Sequence, residues 1–145
     1  MDAKHKRSVI LLGHAQSGKT TLCESVLFKC GAIPRKGTVA EGNTVSDYNW
    51  DEIERKSSIN ASYTVCTWQD TRIQIIDTPG FADFWGEVLS SVRAVDNAIL
   101  VVDASSGVEV GTERCWQLLE ELSIPRLVFV NKTDKEGVDK DKILE

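Results

Sequence analysis

The feature that most constrains the fold of this chain is the octapeptide GHAQSGKT at residues 13–20. It fits the pattern G-x-x-x-x-G-K-[ST], it follows a β-rich run, and helical spacing begins at its end. A strand that turns through glycines into a helix points backbone N–H groups and the positive helix end at one spot. The pattern therefore predicts a phosphate-binding loop, in which Lys19 contacts phosphate and Thr20 ligates Mg²⁺. A chance glycine turn is the alternative, and the complete strand–loop–helix context argues against it.

The rest of the chain alternates predicted strands and helices. Such alternation favours right-handed crossovers and a mainly parallel sheet, and the second and third predicted strands form a pair joined at Gln69-Asp70. The predicted strands cover residues 8–12, 59–68, 72–76, 98–102 and 127–130, and the predicted helices cover residues 20–30, 84–95 and 110–122.

Two stretches lack a regular pattern. Residues 32–56 are polar and contain glycines, and an unstructured segment of that length inside a domain is usually functional or mobile. Residues 131–145 are expected to be loop or the start of a helix. Since the last apolar run then has no later partner, we expect a buried strand whose outer edge is unprotected.

A second motif, DTPG at residues 77–80, directly follows the apolar run IQII. A carboxylate at the end of a strand beside the first strand can reach Mg²⁺, usually through a water molecule, so Asp77 is a candidate. The Gly80 N–H can bond the γ-phosphate, a contact present with a nucleoside triphosphate and lost with the diphosphate. A capping aspartate and a Pro-Gly turn are the ordinary alternative, which the position behind a phosphate loop disfavours.

A third motif, NKTD at residues 131–134, follows the last predicted strand and is the type of sequence that binds guanine. The Asp134 carboxylate can accept hydrogen bonds from guanine N1–H and the 2-amino group, while Lys132 lays its alkyl stem over the base and Asn131 ties this loop to the phosphate loop. Adenine has no donors there, and an unsatisfied buried carboxylate costs about 1–3 kcal/mol or more. Alone, the motif is compatible with an ordinary polar turn.

Composition excludes several other classes of protein. The net charge of −5 does not favour a free nucleic-acid binder or sequence-specific DNA binding. The basic N-terminal residues 1–7 have no apolar region after them, and the apolar runs are too short to cross a bilayer, so neither a signal peptide nor a membrane span is expected. The cysteines fit no zinc or redox spacing, and we expect small buried side chains in a reducing cytosol at Cys23, Cys30, Cys66 and Cys115.

With these motifs in order, the chain resembles the translational GTPases, most closely elongation factor G. The loop opens Gly-His as it does in that family, FADFWGEV after DTPG is similar to the family's run, and residues 105–135 are similar to the stretch between its third and fourth nucleotide boxes. The resemblance implies a three-layer P-loop NTPase G domain, mainly parallel with one antiparallel strand and truncated before the last strand and helix. Residues 1–145 would then be a partial GTP-binding domain without its fifth box and downstream domains.

The resemblance also implies GTP or GDP and Mg²⁺ as ligands, GTP hydrolysis coupled to translocation on the ribosome, and a cytoplasmic location. The fragment itself is expected to be monomeric or weakly self-associating, without membrane contact. Metal ligation is assigned to Thr20, Ser58 and Asp77, and direct roles in hydrolysis to Lys19 and Gly80. The residues expected to bind the nucleotide are Gly13, His14, Ala15, Gln16, Ser17, Gly18, Lys19, Thr20, Thr21, Asp77, Thr78, Pro79, Gly80, Phe81, Asn131, Lys132 and Asp134.

Two departures from the family pattern leave alternatives open. Phe81 stands where the family's DTPGH motif has the histidine that positions the attacking water, and a phenyl ring cannot hydrogen-bond water. Residues 55–58 read RKSS instead of R-G-I-T, so that Ser58 replaces the threonine that ligates Mg²⁺. A divergent paralogue of elongation factor G is the resulting hypothesis. The alternatives are a nucleotide-gated ribosome-binding module with little or no hydrolysis, or a ribosomal-protection or release-type factor.

Overall fold

A computed structural model describes residues 3–138 and contains one five-stranded sheet in the order β2-β3-β1-β4-β5. β1 lies at the centre between β3 and β4, and these pairs are parallel, as is β4 with β5. Only β2 runs antiparallel, against β3. The strands are β1 (Lys6–Leu12), β2 (Ser62–Trp68), β3 (Thr71–Asp77), β4 (Asn97–Asp103) and β5 (Arg126–Asn131).

Helices cover both faces of the sheet and complete a three-layer architecture. On one face Cys23 and Leu27 of the first helix pack with Leu11 and Ile75. The core on the other face combines residues of the third and fourth helices with the alternate residues of the central strands. The helices are α1 (Lys19–Lys29), α2 (Trp50–Arg55), α3 (Trp85–Ser91) and α4 (Val110–Glu121). The predicted fold class is confirmed.

The antiparallel pair is joined by the turn that the sequence predicts. Gln69 and Asp70 both have positive φ, 45° and 63°, the conformation of a two-residue type I′ hairpin turn. The register pairs Trp68 with Thr71 and Ser62 with Asp77. The prediction that this strand begins at residue 59 is wrong, because the N–H groups of Ile59 and Asn60 donate to a side chain of α2 instead of a ladder.

Two other elements differ from their predicted bounds. The helix predicted over residues 84–95 is a short α-helix, α3, between the 3₁₀ turns Ala82–Phe84 and Val92–Ala94. Residues 32–56 are not wholly irregular, since they contain α2. Asn49 precedes this helix and caps it, and the Asn49 N–H donates to the carboxylate of Glu52 three residues later. This capping pair is visible in the sequence, but the spacing of apolar residues gives no sign of the helix.

β5 is an edge strand, as predicted, but it is not buried. Leu127, Val128 and Phe129 are 61%, 46% and 36% exposed, whereas Leu100 and Val101 of the neighbouring β4 are 1% and 0% exposed. The prediction of a buried strand is wrong because a continuous apolar run indicates faces able to be covered, while coverage depends on what packs there. Asn131, expected in the terminal loop, ends β5, and residues 139–145 of that prediction lie outside the described part of the chain.

The cysteines follow their prediction with one exception. All four are free thiols, and Cys23, Cys66 and Cys115 are buried, while Cys30 at the end of α1 is only partly buried. Burial raises the pKa of the Cys23 thiol to about 11 and of the Cys66 thiol to about 12. Within residues 3–138 no helix is both long enough and apolar enough to cross a membrane.

Candidate functional site

The loop between β1 and α1 wraps around the amino group of Lys19. The side chain is 5% exposed, and its Nζ donates to the Gly13 carbonyl at 3.0 Å and the His14 carbonyl at 2.8 Å. Gly13 has φ 143°, and a Cβ there would collide with the Val101 carbonyl of β4, so the tight passage beside the sheet requires glycine. Burial lowers the pKa of Lys19, although the nearby Asp77 carboxylate opposes that shift.

A cavity of about 260 Å³ opens beside this loop. Ten of the predicted site residues line it: Ala15, Gln16, Gly18, Lys19, Thr20, Thr21, Ser58, Thr78, Gly80 and Lys132. Four lining residues were not predicted: Val39, Asp47, Lys56 and Ser57. The other predicted residues do not line it: Gly13, His14, Ser17, Asp77, Pro79, Phe81, Asn131 and Asp134.

Thr20 and Ser58 lie in contact at the N-terminal end of α1. Their hydroxyl oxygens lie 3.1 Å apart, although 38 positions separate the residues in sequence. Ser58 is 9% exposed, and it lies directly after the turn that ends α2. The structure therefore brings together two of the three hydroxyl and carboxylate groups that the sequence proposes as metal ligands.

Two buried glutamates hold the segment that delivers Ser58. Glu52, 1% exposed, accepts the N–H groups of Ile59 and Asn60, each at 3.0 Å. Glu24 of α1, 0% exposed, accepts the Gly37 N–H at 2.9 Å and also the Val45 N–H. Backbone N–H bonds to ionised carboxylates are among the stronger protein hydrogen bonds. These contacts position the segment against α1, and sequence periodicity gave no signal for Glu24.

Two further carboxylates lie beside these hydroxyls and have no protein partner among residues 3–138. Asp77 is 1% exposed and Asp47 is 4% exposed, and neither oxygen of either group receives a hydrogen bond. Burial raises the pKa of the Asp77 carboxyl to about 6, and burial also raises the pKa of Asp47. Since buried polar groups are normally satisfied, this pair fits a site that is completed by a ligand, water or a cation.

The donor set suits Mg²⁺. Hydroxyls and carboxylates are hard oxygen ligands, and a magnesium ion that keeps several waters needs only one or two direct protein ligands. Thr20 and Ser58 would supply hydroxyl oxygens, while Asp77 and Asp47 would accept from the waters. No group of three or more histidine, cysteine or acidic side chains able to enclose a metal occurs in the described residues.

The DTPG segment closes over the phosphate loop. The Thr78 hydroxyl donates to the Leu11 carbonyl at 2.6 Å, which fixes the segment to the end of β1. A Cβ at Gly80 would lie 2.5 Å from Lys19 Nζ and 2.6 Å from the Ala15 Cα, so this close approach requires glycine. Phe81 is 41% exposed and lines two neighbouring cavities, one with Arg55 and Ser57 and one with His14.

His14 links the phosphate loop to α4. The Gly111 N–H donates to Nδ1 at 3.3 Å, and Nε2 lies 3.5 Å from a carboxylate oxygen of Glu109. A Cβ at Gly111 would lie 2.7 Å from Nδ1. His14 therefore orders the outer side of the loop, outside the cavity that its sequence position suggests it lines.

The NKTD segment bonds to the phosphate loop from the far side. Asn131 Nδ2 donates to the Ser17 carbonyl at 2.9 Å, the tie that the sequence predicts. Lys132 Nζ donates to the Gln16 carbonyl at 2.6 Å. A Cβ at Gly18 would collide with Asn131 Nδ2, so the loop and the NKTD segment are in direct contact.

Asp103, at the end of β4, is a site residue that motif analysis missed. Its Oδ2 accepts from Lys132 Nζ at 2.7 Å and from Lys135 Nζ at 3.2 Å, and its Oδ1 accepts from Ser105. Although burial raises the pKa of the Asp103 carboxyl, bonds from Lys132, Ser105 and Lys135 outweigh it and hold the pKa below its ordinary value. Its place at the carboxyl end of a parallel strand was the available signal. Asp134 itself is exposed.

Fold and site together define a nucleotide-binding domain of the phosphate-loop class. A central parallel strand leads into a glycine loop that encloses a lysine, a hydroxyl opens the next helix, and a buried carboxylate ends the adjacent strand. A family model described as the Elongation factor Tu GTP binding domain matches residues 4–145. The chain belongs to this family.

Two curated proteins are similar to this chain over most of its length. Elongation factor G of Salinibacter ruber is 42% identical over 139 residues, which cover 96% of this chain and 20% of that protein. The mitochondrial ribosome-releasing factor 2 of Candida dubliniensis is 42% identical over 135 residues, covering 93% of this chain and 17% of that protein. The chain therefore spans about a fifth of the length of these curated relatives.

Solved structures agree with the fold. A crystal structure of a protein from Thermus thermophilus matches with a TM-score of 0.92 at 41% identity, covering 95% of this chain and 21% of that one. The translation elongation factor SelB of Methanococcus maripaludis, solved in complex with the GTP analogue GppNHp, matches with a TM-score of 0.68 at 24% identity. That match covers 95% of this chain and 24% of SelB, and at this identity it supports the fold alone.

Proposed function

We propose that this chain is the GTP-binding domain of an elongation factor G-like translational GTPase, which couples GTP hydrolysis to translocation-type action on the ribosome in the cytoplasm. The observation that carries the proposal is the convergence on one cavity of Lys19, Thr20 and Ser58, with the NKTD segment bonded to its far side. The similarity to elongation factor G of Salinibacter ruber supports the same assignment.

The phosphate end of the site is built to bind and orient a triphosphate. Lys19 is a buried cation already held by two carbonyls, so it can contact phosphate oxygens with little reorganisation. The Gly80 backbone lies against Lys19, and this proximity supports the proposal that its N–H bonds the γ-phosphate. Mg²⁺, when bound, would neutralise charge on the β- and γ-phosphates, and Thr20, Ser58 and Asp77 are the residues that would hold it.

The base end of the site is built to select guanine. Asp134 is the acceptor for guanine N1–H and the 2-amino group, and Lys132 is held with its stem beside the pocket by Gln16 and Asp103. Because the Asn131 amide bonds to the phosphate loop, the two ends are mechanically linked. We infer that binding of the base helps to order the loop that binds the phosphates.

Position 81, where the family has the histidine that aligns the attacking water, carries a phenyl ring that cannot form a hydrogen bond to water. Phe81 lies outside the lining of the phosphate cavity, so its ring neither fills that cavity nor donates to a water there. Phosphoryl transfer needs mainly positioning and electrostatic stabilisation, which Lys19 and Gly80 supply. We propose that the ribosome, or a group near the site, orders the water in place of the family histidine.

Single-turnover hydrolysis by the full-length protein, with and without ribosomes, tests this proposal. We expect ribosomes to accelerate hydrolysis. A large gain in the accelerated rate for Phe81→His would mean that position 81 still faces the attacking water, whereas no change would indicate a rearranged site. Absence of ribosome stimulation would instead support a nucleotide-gated binding module. The similarity to ribosome-releasing factor 2 makes a release role the second candidate, and it predicts stimulated release of ribosomes instead of translocation in the same preparations.

A further inference from the structure

Lys56 is a cationic residue of the phosphate cavity that no motif assigns. It lies directly after α2 and two residues before Ser58, and it lines the same cavity as Lys19 and Thr20. Since Ser58 meets Thr20 at the mouth of α1, Lys56 lies on the side where the outer phosphates of a nucleotide would sit. The opposite side of the cavity carries Lys132 and the guanine segment.

The backbone of Lys56 adopts a conformation that favours glycine. Its φ and ψ are 52° and 42°, the left-handed region, at the residue that ends α2. Glycine is the usual residue at this point of a helix because it has no Cβ to strain the conformation. Lysine here therefore costs conformational energy, and residues held in this way concentrate at ligand sites.

The ammonium group of Lys56 forms no hydrogen bond or ion pair within residues 3–138, unlike those of the other lysines of the cavity. Lys19 donates to two loop carbonyls, and Lys132 donates to Gln16 and Asp103. Lys56 makes neither an ion pair nor a side-chain hydrogen bond in this part of the chain, and the Asp47 carboxylate that lines the same cavity remains unpartnered. A flexible cation beside a phosphate cavity matches a ligand that brings negative charge.

We propose that Lys56 contacts the terminal phosphate of bound GTP and thereby makes the site prefer GTP over GDP. The inference rests on the proposed function, because it assumes that a guanine nucleotide occupies the cavity. Lys56 would act from the segment that carries Ser58, so contact with the γ-phosphate would also hold that segment closed. Loss of the γ-phosphate would remove the contact and release the segment.

Two substitutions separate this role from the backbone role of Lys56. Lys56→Gln removes the charge and keeps a long side chain in the same conformation. Lys56→Gly also removes the charge, but it relieves the left-handed backbone and should raise the thermal unfolding temperature. Lys56→Arg keeps the charge, and Lys36→Gln is the matched control, since Lys36 is an exposed lysine of the same segment outside the cavity.

The test is the affinity of the full-length protein for a non-hydrolysable GTP analogue and for GDP, both with Mg²⁺. We expect Lys56→Gln and Lys56→Gly each to lower the affinity for the analogue about tenfold, which corresponds to the loss of a charge-assisted hydrogen bond. The affinity for GDP should change by less than about twofold. Lys56→Arg and Lys36→Gln should retain the wild-type ratio of the two affinities.

An unchanged affinity ratio in Lys56→Gly, with a raised unfolding temperature, would overturn the proposal and leave Lys56 as a strained helix end. Equal losses of affinity for GDP and for the analogue would overturn it too. They would mean that Lys56 contacts a part of the nucleotide that both ligands share, or that it acts through Asp47. A wild-type protein that binds neither guanine nucleotide would instead overturn the proposed function itself.

Discussion

The two ends of the nucleotide site are built differently. The phosphate end lies at the centre of the sheet, where β1 has a neighbour on each side and the residues beneath it, such as Ile10 and Leu12, are fully buried. The base end follows β5, an edge strand with an exposed apolar surface. The phosphate end is therefore fixed by the core, whereas the base end is held by a few polar bonds to the phosphate loop.

The buried aspartates at the two ends differ in their partners. At the phosphate end, Asp47 and Asp77 are buried without protein partners among the described residues, an arrangement that favours arrival of a ligand. At the base end, Asp103 is fully engaged by Lys132, Lys135 and Ser105, an arrangement that organises the protein itself. In the proposed site, the sheet would therefore position the phosphates and polar bonds would position the base.

The largest expected effect is at the phosphate end. Lys19→Ala removes a buried cation that would contact the β- and γ-phosphates, each contact being worth about 1.5–3 kcal/mol, so affinity for a non-hydrolysable GTP analogue should fall at least about a hundredfold. Isothermal titration measures it, with Lys29→Ala at the exposed end of the same helix as the control. A loss of less than about threefold would mean that Lys19 serves only the loop carbonyls.

The strands that support the two ends should also differ, with the larger loss of stability for a substitution at the buried strand. Leu100→Ala on β4 removes a side chain that is 1% exposed and should lower the free energy of unfolding by about 2–5 kcal/mol. Leu127→Ala on β5, 61% exposed, should cost less than about 1 kcal/mol. Chemical denaturation compares the two variants, and equal losses would show that β5 is covered in the full-length protein.

At the base end, Asp134→Asn should change which base is bound. The amide offers one acceptor and one donor, which mismatches guanine N1–H and its 2-amino group but matches the N1–H and C2 carbonyl of xanthine. We expect GDP affinity to fall about a hundredfold and xanthosine diphosphate affinity to rise, from the cost of about 1.5–3 kcal/mol for a broken charged bond. Unchanged GDP binding would place the base elsewhere.

The smallest expected effect concerns Asp103 and depends on pH. Its pKa is below the ordinary value of 3.8 in the folded state, so its stabilisation is complete above that value and is lost as pH falls through the folded pKa. Asp103→Asn should therefore cost about 1.5–3 kcal/mol at neutral pH and progressively less in acid.

Denaturant unfolding at several pH values measures this dependence. Lys135→Gln should be milder, because Lys135 lies at 3.2 Å from Asp103 and Lys132 at 2.7 Å. A cost for Asp103→Asn that is the same at all pH values would exclude the proposed ion pairs as its source.

The sequence predicts the central part of this molecule better than its edges. The phosphate loop and the parallel strands could be predicted because spacing and apolar runs are local properties. Exposure of β5 and the partners of Asp103 could not, since both depend on contacts between distant segments. Glu24 and Asp47 carried no local signal either, because Glu24 binds a segment that is distant in sequence and Asp47 lies on that segment, which folds back to the cavity.

Titration of the full-length protein with GTP and ATP in the presence of Mg²⁺ tests the central claim most directly. We predict that GTP binds at least about a hundredfold more tightly than ATP, because bound adenine would cover the Asp134 carboxylate, exposed in the free protein, without supplying its two donors. Chelation of Mg²⁺ should weaken GTP binding, because Thr20, Ser58 and Asp77 would lose their shared partner. Equal binding of ATP and GTP, or binding that is indifferent to Mg²⁺, would contradict the account.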